Sequence, residues 1–144
     1  MKKFILTAFI FASFLVACDK KNAEPEIQFS SLDAKLAYRQ DVVVPASGTE
    51  LKVNLKEIED SRCPMNANCI GMGAAVLTLA ISDGTNNALV NTSFSGDGKN
   101  APVQTFELGS QKYALKVNEV LPYPVTPKLP PFEDYTIGVS VAKL

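Results

Sequence analysis

Two cysteines with five residues between them, Cys63 and Cys69, are the first candidates for chemistry in this chain of 144 residues. They lie in the stretch DSRCPMNANCIGMG, residues 60–73. The chain has no histidine and one further cysteine, Cys18. Structural zinc needs four ligands, usually Cys or His, so these residues make a poor zinc site. We therefore expect no metal site and no cofactor.

The third cysteine follows a leader-like segment. Lys2 and Lys3 precede an almost wholly apolar run, residues 4–17, which is shorter than the roughly 20 residues that a bilayer-spanning helix needs. A charged start, a short apolar run and small residues at its end describe a secretory signal. The closing residues LVAC resemble the lipobox of bacterial lipoproteins, L-x-[AGS]-C, at all four positions. The resemblance implies cleavage before Cys18, a diacylglyceryl group on its thiol and usually a fatty acid such as palmitate on its amine.

This leader divides the chain into three parts. We expect a signal peptide at 1–17, a lipidated and flexible tether at 18–26, and one folded domain at 27–144. The tether is polar and shows no periodicity, as flexible spacers do. Two or more acyl chains attach a protein stably to a membrane, so the expected location is the cell envelope, anchored to the outer membrane on its periplasmic or surface-exposed face. Asp19, directly after Cys18, leaves the inner membrane open as the alternative.

An extracytoplasmic address changes the interpretation of the remaining cysteine pair. Disulfides persist outside the cytoplasm, and the spacing of Cys63 and Cys69 is not the C-x-x-C of redox pairs. Pro64, Asn66 and Asn68 favour turns between them. Among zinc, redox chemistry and a structural bridge, the sequence favours a disulfide, which closes a loop between two strands.

Composition excludes several classes of function. The formal charge is −1, and removal of the leader with its two lysines makes the body more acidic, which is unlike a nucleic-acid-binding face. Without histidine the usual general base is missing, so we predict that the protein is not an enzyme. A carboxylate-based hydrolase stays open as an alternative and needs two acids about 5–10 Å apart in a cleft. The candidate acids are Glu57, Glu59, Asp60, Glu133 and Asp134.

Apolar and polar residues alternate along most of the body, which is typical of half-buried strands. We expect strands near 36–44, 51–58, 87–94, 105–108, 112–121 and 134–142. A nearly continuous apolar run, 74–81, predicts a central strand covered on both faces. Seven or eight short strands separated by Gly, Asn, Asp and Pro predict an all-β fold, a single antiparallel β-sandwich that is Ig-like or a barrel-like variant.

Three connections stand out between these strands. Residues 121–132 read LPYPVTPKLPPF, and this proline content predicts an extended loop, because proline cannot donate to a strand ladder. The segments SDGTNN and SGDGKN could hold calcium, although turn chemistry explains them too. Loops 60–73, 95–102 and 122–132 are the candidate binding surfaces, because binding residues concentrate on loops that a sheet positions.

The cysteine stretch resembles a motif in secreted proteins and lipoproteins of bacteria, Bacteroidetes-like ones especially, that have no assigned activity. The motif is DSRCP, a short loop, then C-[IV]-W-A-G-[ED]-A entering an apolar strand. The chain departs from it at Gly71, Met72 and Ala74, where the family has Trp, Ala and an acid. The family's PYP segment and its Y-T-[IV] strand are echoed around Tyr123 and Tyr135. The resemblance spans 30–144 and implies a fold without a mechanism.

Two residues of these motifs are possible binding residues, Arg62 and Tyr123. The guanidinium of Arg62 could bind a carboxylate or a glycan-borne anion, or it could pair with Asp60, Glu59 or a neighbouring strand. We predict a lipid-anchored envelope lipoprotein that acts as a non-enzymatic binding or structural module. Its expected partners are the membrane, through its lipid, and a protein or glycan; we expect a monomer. The alternative is a small protease-inhibitor-like module with a stiffened loop.

Overall fold

The computed structural model describes residues 26–29, 34–98 and 101–144. The predicted signal peptide at 1–17, the predicted lipidation site Cys18 and most of the predicted tether lie outside the described residues. Within the described residues there are eight strands and one 3-10 turn. These are β1 (Ala34–Ala37), β2 (Asp41–Ala46), β3 (Thr49–Asp60), β4 (Ala74–Ser82), β5 (Asn87–Ser95), β6 (Gln104–Leu108), β7 (Gln111–Leu121), the turn Phe132–Asp134 and β8 (Thr136–Lys143).

The strands form two antiparallel sheets of four, ordered β1–β8–β7–β6 and β2–β3–β4–β5. Within each sheet, hydrogen-bonded neighbours are consecutive in the chain, except that β1 pairs with β8. The sheets adjoin where β1 meets β2 and where β5 meets β6. The predicted all-β sandwich is therefore confirmed. Its up-and-down order is that of the barrel-like variant, because an immunoglobulin domain has Greek-key connections.

The core lies between the two sheets and is built from the alternate residues of each strand. On β3 and β4 these are the aliphatic residues that the alternation marks as inward-facing, and they are buried: Leu51, Val53, Leu55, Leu77, Leu79 and Ile81. Leu115, Val117, Ile137 and Val139 cover them from the other sheet. Burial of one such side chain contributes about 1.5–3 kcal/mol, so this layer holds the sheets together.

The predicted strand 36–44 is wrong in one respect, because it is two strands in different sheets. β1 ends at Ala37 and β2 begins at Asp41, and Arg39 between them has a φ of 56°. The alternation of apolar and polar residues gives no signal of a left-handed backbone conformation, so it predicts one continuous strand across the break. Pro45, just beyond the predicted strand, lies within β2, which is an edge strand and tolerates proline.

The expectation that residues 74–81 are covered on both faces is also wrong. β4 is central within its sheet, but only its inward face is buried. Val76 on its outer face is exposed, and Thr78 and Ala80 are half-buried. Because Val76 and Ala80 are apolar although they face outward, the sequence of β4 resembles the continuous apolar run of a fully covered strand.

The two ends of the sandwich differ in the length of their connections. At one end lie the short turns 47–48, 83–86 and 109–110. At the other end, called the long-loop end below, lie the connections 61–73, 96–103 and 122–135, of which 99–100 are not described. β1 runs from a position opposite Val139 to one opposite Thr136, the residue that follows the long connection. The chain therefore enters the sandwich travelling towards the long-loop end.

Candidate functional site

The disulfide loop, residues 61–73, joins β3 to β4. Cys63 and Cys69 form a disulfide whose Cα atoms are 5.9 Å apart, which confirms the predicted bridge. The hairpin ladder continues beyond the strands, because Ser61 N–H donates to Ala74 O at 2.9 Å and Cys63 N–H donates to Met72 O at 2.8 Å. The loop is thus closed twice, by the sulfur bridge and by backbone hydrogen bonds.

Arg62 lies at the base of this loop and forms a buried ion pair with Asp60. Its Nε donates to Asp60 Oδ1 at 2.9 Å and its Nη2 donates to Asp60 Oδ2 at 2.7 Å. The two side chains are 0% and 3% exposed. Two parallel bonds to one carboxylate are the geometry that the planar guanidinium favours.

The same guanidinium reaches the other sheet. Nη1 donates to Val120 O at 2.8 Å, and Nη2 also donates to Pro122 O at 3.0 Å. The ring of Tyr123 stacks against it, with the ring centroid 4.6 Å from Cζ. Arg62 therefore connects the end of β3 to the end of β7 across the sandwich.

Asp60 has a third partner, the hydroxyl of Tyr135, which donates to Oδ2 at 3.0 Å. Burial alone would raise the pKa of Asp60, but hydrogen bonds and charge from Arg62, together with Tyr135, outweigh it and hold that pKa below 3.8. Burial and the bond to the Asp60 carboxylate raise the pKa of Tyr135 to about 12. The cluster is stable as an ionised pair with a neutral phenol.

Of the two roles that the sequence left for Arg62, the structure shows the ion pair with Asp60. The guanidinium of Arg62 donates to one carboxylate and two backbone carbonyls of the protein itself. These contacts therefore offer no support for an anion-binding role. Asp60, a candidate acid for hydrolysis, is likewise engaged by Arg62 and Tyr135. Arg62, Asp60 and Tyr135 hold the strands and loops of the long-loop end together.

Tyr123, the other predicted binding residue, connects three loops. Its hydroxyl donates to Gly96 O at 2.6 Å, and Gly96 N–H donates to Gly73 O at 3.0 Å. The backbones approach so closely that a Cβ on Gly96 would lie 2.1 Å from Met72 O. The loop after β5 therefore packs against the disulfide loop at a position that requires glycine.

The proline loop, residues 122–131, is bound to the disulfide loop by its backbone. Met65 N–H donates to Pro124 O at 3.1 Å. Asn66 and Thr126 exchange two bonds, in which Asn66 Nδ2 donates to Thr126 O at 3.0 Å and Thr126 N–H donates to Asn66 Oδ1 at 2.9 Å. Because each loop satisfies backbone groups of the other, the two form one rigid surface.

An apolar groove opens on this surface. It has a volume of about 560 Å³ and is lined by Cys63, Pro64, Met65, Ala67, Asn68, Cys69, Met72 and Tyr123. None of these lining residues is charged. Met65 and Met72 are 72% and 53% exposed, and Ile70 beside them is fully exposed. Large apolar side chains that are grouped and exposed are unusual on a protein surface.

One of the two segments considered for calcium, SDGTNN, uses its carboxylate to close a turn. Asp83 accepts hydrogen bonds from Thr85 N–H at 2.8 Å and from Asn86 N–H at 2.6 Å, and these bonds lower its pKa. Its carboxylate thus closes a turn. The other segment includes 99–100, which are not described. Among the described residues, no group of three or more potential metal ligands is found.

Sequence reasoning named loops that the structure brings together, and it missed some of the contacts between them. Loops 60–73, 95–102 and 122–132 were named as separate candidates, and the structure joins them at one end. Tyr135, Asn66 and Thr126 were not singled out for this site. An asparagine between two cysteines, 60 residues from the threonine that it contacts, carries no local signal of that contact.

No protein-family model, curated protein or solved structure matches the chain. The resemblance to bacterial secreted proteins and lipoproteins thus stays a prediction. The described part of the chain contains no helix with the length and apolar character that crossing a membrane requires.

Proposed function

We propose that this protein is a lipid-anchored lipoprotein of the cell envelope that binds another protein, without catalysis, through the apolar groove at its long-loop end. The groove carries the proposal, because Met65, Ile70 and Met72 are exposed beside it on loops that are held by a disulfide and by hydrogen bonds. The sequence around Cys18 supports the anchor.

The chemistry of the groove favours an apolar side chain of a partner protein as the ligand. Its walls are uncharged and include two methionines and the ring of Tyr123. Methionine adapts its shape to what it contacts, and a tyrosine ring adds contact area at a small entropic cost. Because the loops are already ordered, little conformational entropy is lost on binding.

A photo-crosslinking residue placed at position 70 tests the proposal in the native envelope. We expect a discrete cross-linked protein that disappears when Met72→Asp is added, because a charge in the groove opposes apolar binding. After identification by mass spectrometry, that purified partner should bind the purified lipoprotein and fail to bind the Met72→Asp variant.

Leu89 provides the matched control, because it is as exposed as Met65 but lies on the outer face of β5. The crosslinker at position 89 should not capture the same partner, and Leu89→Asp should leave binding intact. Equal capture from positions 70 and 89, or capture that survives Met72→Asp, would contradict a site in the groove.

The anchor is tested separately. Protein extracted from the envelope should begin at Cys18, carry a diacylglyceryl group on its sulfur and incorporate labelled palmitate. Cys18→Ser should abolish the label, whereas Cys63→Ser should retain it. A mature chain that starts elsewhere, or labelling that persists in Cys18→Ser, would rule out this anchor.

One observation favours a second function, inhibition of a protease. Ile70 is fully exposed on a loop closed by a disulfide, as a substrate-like residue on a stiff loop should be. Such an inhibitor should block, in a one-to-one complex, a protease that cleaves after aliphatic residues. Ile70→Asp should abolish the inhibition and Leu89→Asp should retain it. Rapid cleavage after residue 70 without inhibition would exclude this function.

A further inference from the structure

A second concave site lies away from the long-loop end, on the outer face of the β2–β5 sheet. It is a polar pit of about 290 Å³ lined by Asp41, Lys52, Asn54, Lys56, Ala80, Ile81, Ser82 and Asn87. The strands that carry these residues are hydrogen-bonded neighbours, so the sheet holds the pit in place. We propose that this pit binds one acidic sugar unit, such as a hexuronic acid.

The charges of the pit favour an anion. Lys52 and Lys56 both project from the outer face of β3, and neither has an acidic partner within 4 Å among the described residues. The carboxylate in the pit, Asp41, accepts a hydrogen bond from Asn54 Nδ2 at 2.7 Å. The pit thus has two ammonium groups against one carboxylate.

Asn54 provides an independent indication of a ligand. It lies between the two lysines on the outer face of the sheet, yet it is only 6% exposed. Its Oδ1 is buried and has no hydrogen-bond partner among the described residues. A buried carbonyl without a hydrogen bond is unfavourable, and a hydroxyl entering the pit could donate to it.

A β-bulge in β3 lies at Lys56, beside the pit. The register with β4 shifts between Leu55 and Glu57, so Lys56 is the extra residue. Bulges of this kind re-aim side chains and occur next to functional sites. Lys52, Asn54 and Lys56 alternate onto the outer face, and the bulge after Leu55 lets Ile58 point inward again.

The remaining groups fit the hydroxyls of a sugar. Asp41 and the amide oxygens of Asn54 and Asn87 accept hydrogen bonds, while the amide of Asn87 and the hydroxyl of Ser82 can donate them. Ala80 opposite Asn54 leaves room between these groups. A ligand that satisfies both halves of the pit has a carboxylate for the lysines and adjacent hydroxyls for the neutral groups.

Isothermal titration or NMR titration of the folded chain with galacturonate, galactose and sulfate tests this inference. We expect saturable binding of galacturonate, with NMR chemical-shift changes at residues 52, 54, 56 and 82. Galactose, which lacks the carboxylate, and sulfate should bind much more weakly. Tetragalacturonate should also bind; tighter binding than that of the monosaccharide would identify a polymer as the source of the unit.

Variants of the pit should weaken that binding. Lys52→Gln and Lys56→Gln should each weaken galacturonate binding about fivefold or more, as expected for loss of a charge-assisted hydrogen bond. Ala80→Leu should abolish binding by filling the pit. The matched control is Lys116→Gln on β7 of the other sheet, which removes the same charge and should leave the affinity unchanged.

Three results would overturn the inference. Galacturonate that causes no shifts in the pit would show that no such site exists. Galactose or sulfate binding as tightly as galacturonate would show that the pit does not recognise both charge and hydroxyls. Equal losses in Lys56→Gln and Lys116→Gln would show that binding depends only on overall charge. None of these readouts involves the apolar groove, so this inference stands or fails independently of the proposed function.

Discussion

Arg62 donates two parallel hydrogen bonds, of 2.9 and 2.7 Å, to the carboxylate of Asp60, which lies only two residues before it in the chain. This pair is buried and also reaches Tyr135 and the end of β7. It holds together the point from which the disulfide loop and the proline loop depart. Through Val120, Pro122 and Tyr123, the pair therefore connects the loops that carry the apolar groove.

Asp60→Asn should destabilise the domain strongly. It leaves the Arg62 guanidinium buried without a counter-ion, which costs about 3 kcal/mol or more. The matched control is Glu107→Gln, which breaks the exposed Lys112–Glu107 pair of 3.5 Å and should cost less than about 1 kcal/mol. Denaturant unfolding measures both free energies. Similar losses in the two variants would contradict a structural role for the buried pair.

The sequence predicted the sandwich because inward-facing residues recur at every second position along β3, β7 and β8. It predicted the Cys63–Cys69 bridge because the spacing, the predicted compartment and the lack of further Cys or His ligands agreed. The sequence did not predict the break between β1 and β2 at Arg39, because the alternation continues through a left-handed residue. A local pattern of polarity does not report the backbone conformation of a single residue.

The partners of the candidate loops could not be predicted for a different reason. Arg62 contacts Val120 across 58 residues, and Tyr135 contacts Asp60 across 75. These contacts are set by how the two sheets stack and by which loops share one end. The polar pit depends on the pairing of β3 with β2 and β4, so it too appears only once the register is known.

Tyr135 should make the protein less stable in alkali. Its pKa is raised to about 12 in the folded state, whereas an unfolded tyrosine titrates near 10. Between these values the unfolded chain has lost the proton and the folded chain keeps it, so stability is fully present below about pH 10 and falls as the pH rises towards 12. Denaturant unfolding across this range should show wild type losing on the order of 2 kcal/mol relative to Tyr135→Phe. A constant difference between the two proteins would contradict the link.

Gly96→Ala should disrupt the packing of the loops. A Cβ there would lie 2.1 Å from Met72 O, which is backbone and cannot move aside. We expect a loss of about 1–3 kcal/mol, as for overpacked sites. Gly71→Ala is the control, since nothing lies within 4 Å of its Cβ position, and thermal melting should show it nearly unchanged. If both variants melt alike, the loops are not packed as described.

Removal of the disulfide should loosen the groove without unfolding the sandwich. The bridge closes a loop with a sequence separation of 6, so replacing both cysteines by alanine should cost roughly 2 kcal/mol. Amide hydrogen exchange should rise at Met65, whose N–H is bound to Pro124 O, and stay low in the centre of β7. Uniformly faster exchange would show that the bridge supports the whole domain instead of its loop.

Thr92→Val should stabilise the domain. Thr92 lies on β5, is only 6% exposed, and its hydroxyl has no hydrogen-bond partner among the described residues. Valine has nearly the same shape and carries no polar atom, so the change removes the desolvation cost of an unsatisfied hydroxyl, about 1 kcal/mol. The free energy of unfolding should rise by that order. The control is Thr78→Val, because Thr78 Oγ1 donates to Asn91 Oδ1 at 3.1 Å and its loss should give no gain. A destabilised Thr92→Val protein would show that the hydroxyl is bonded in solution.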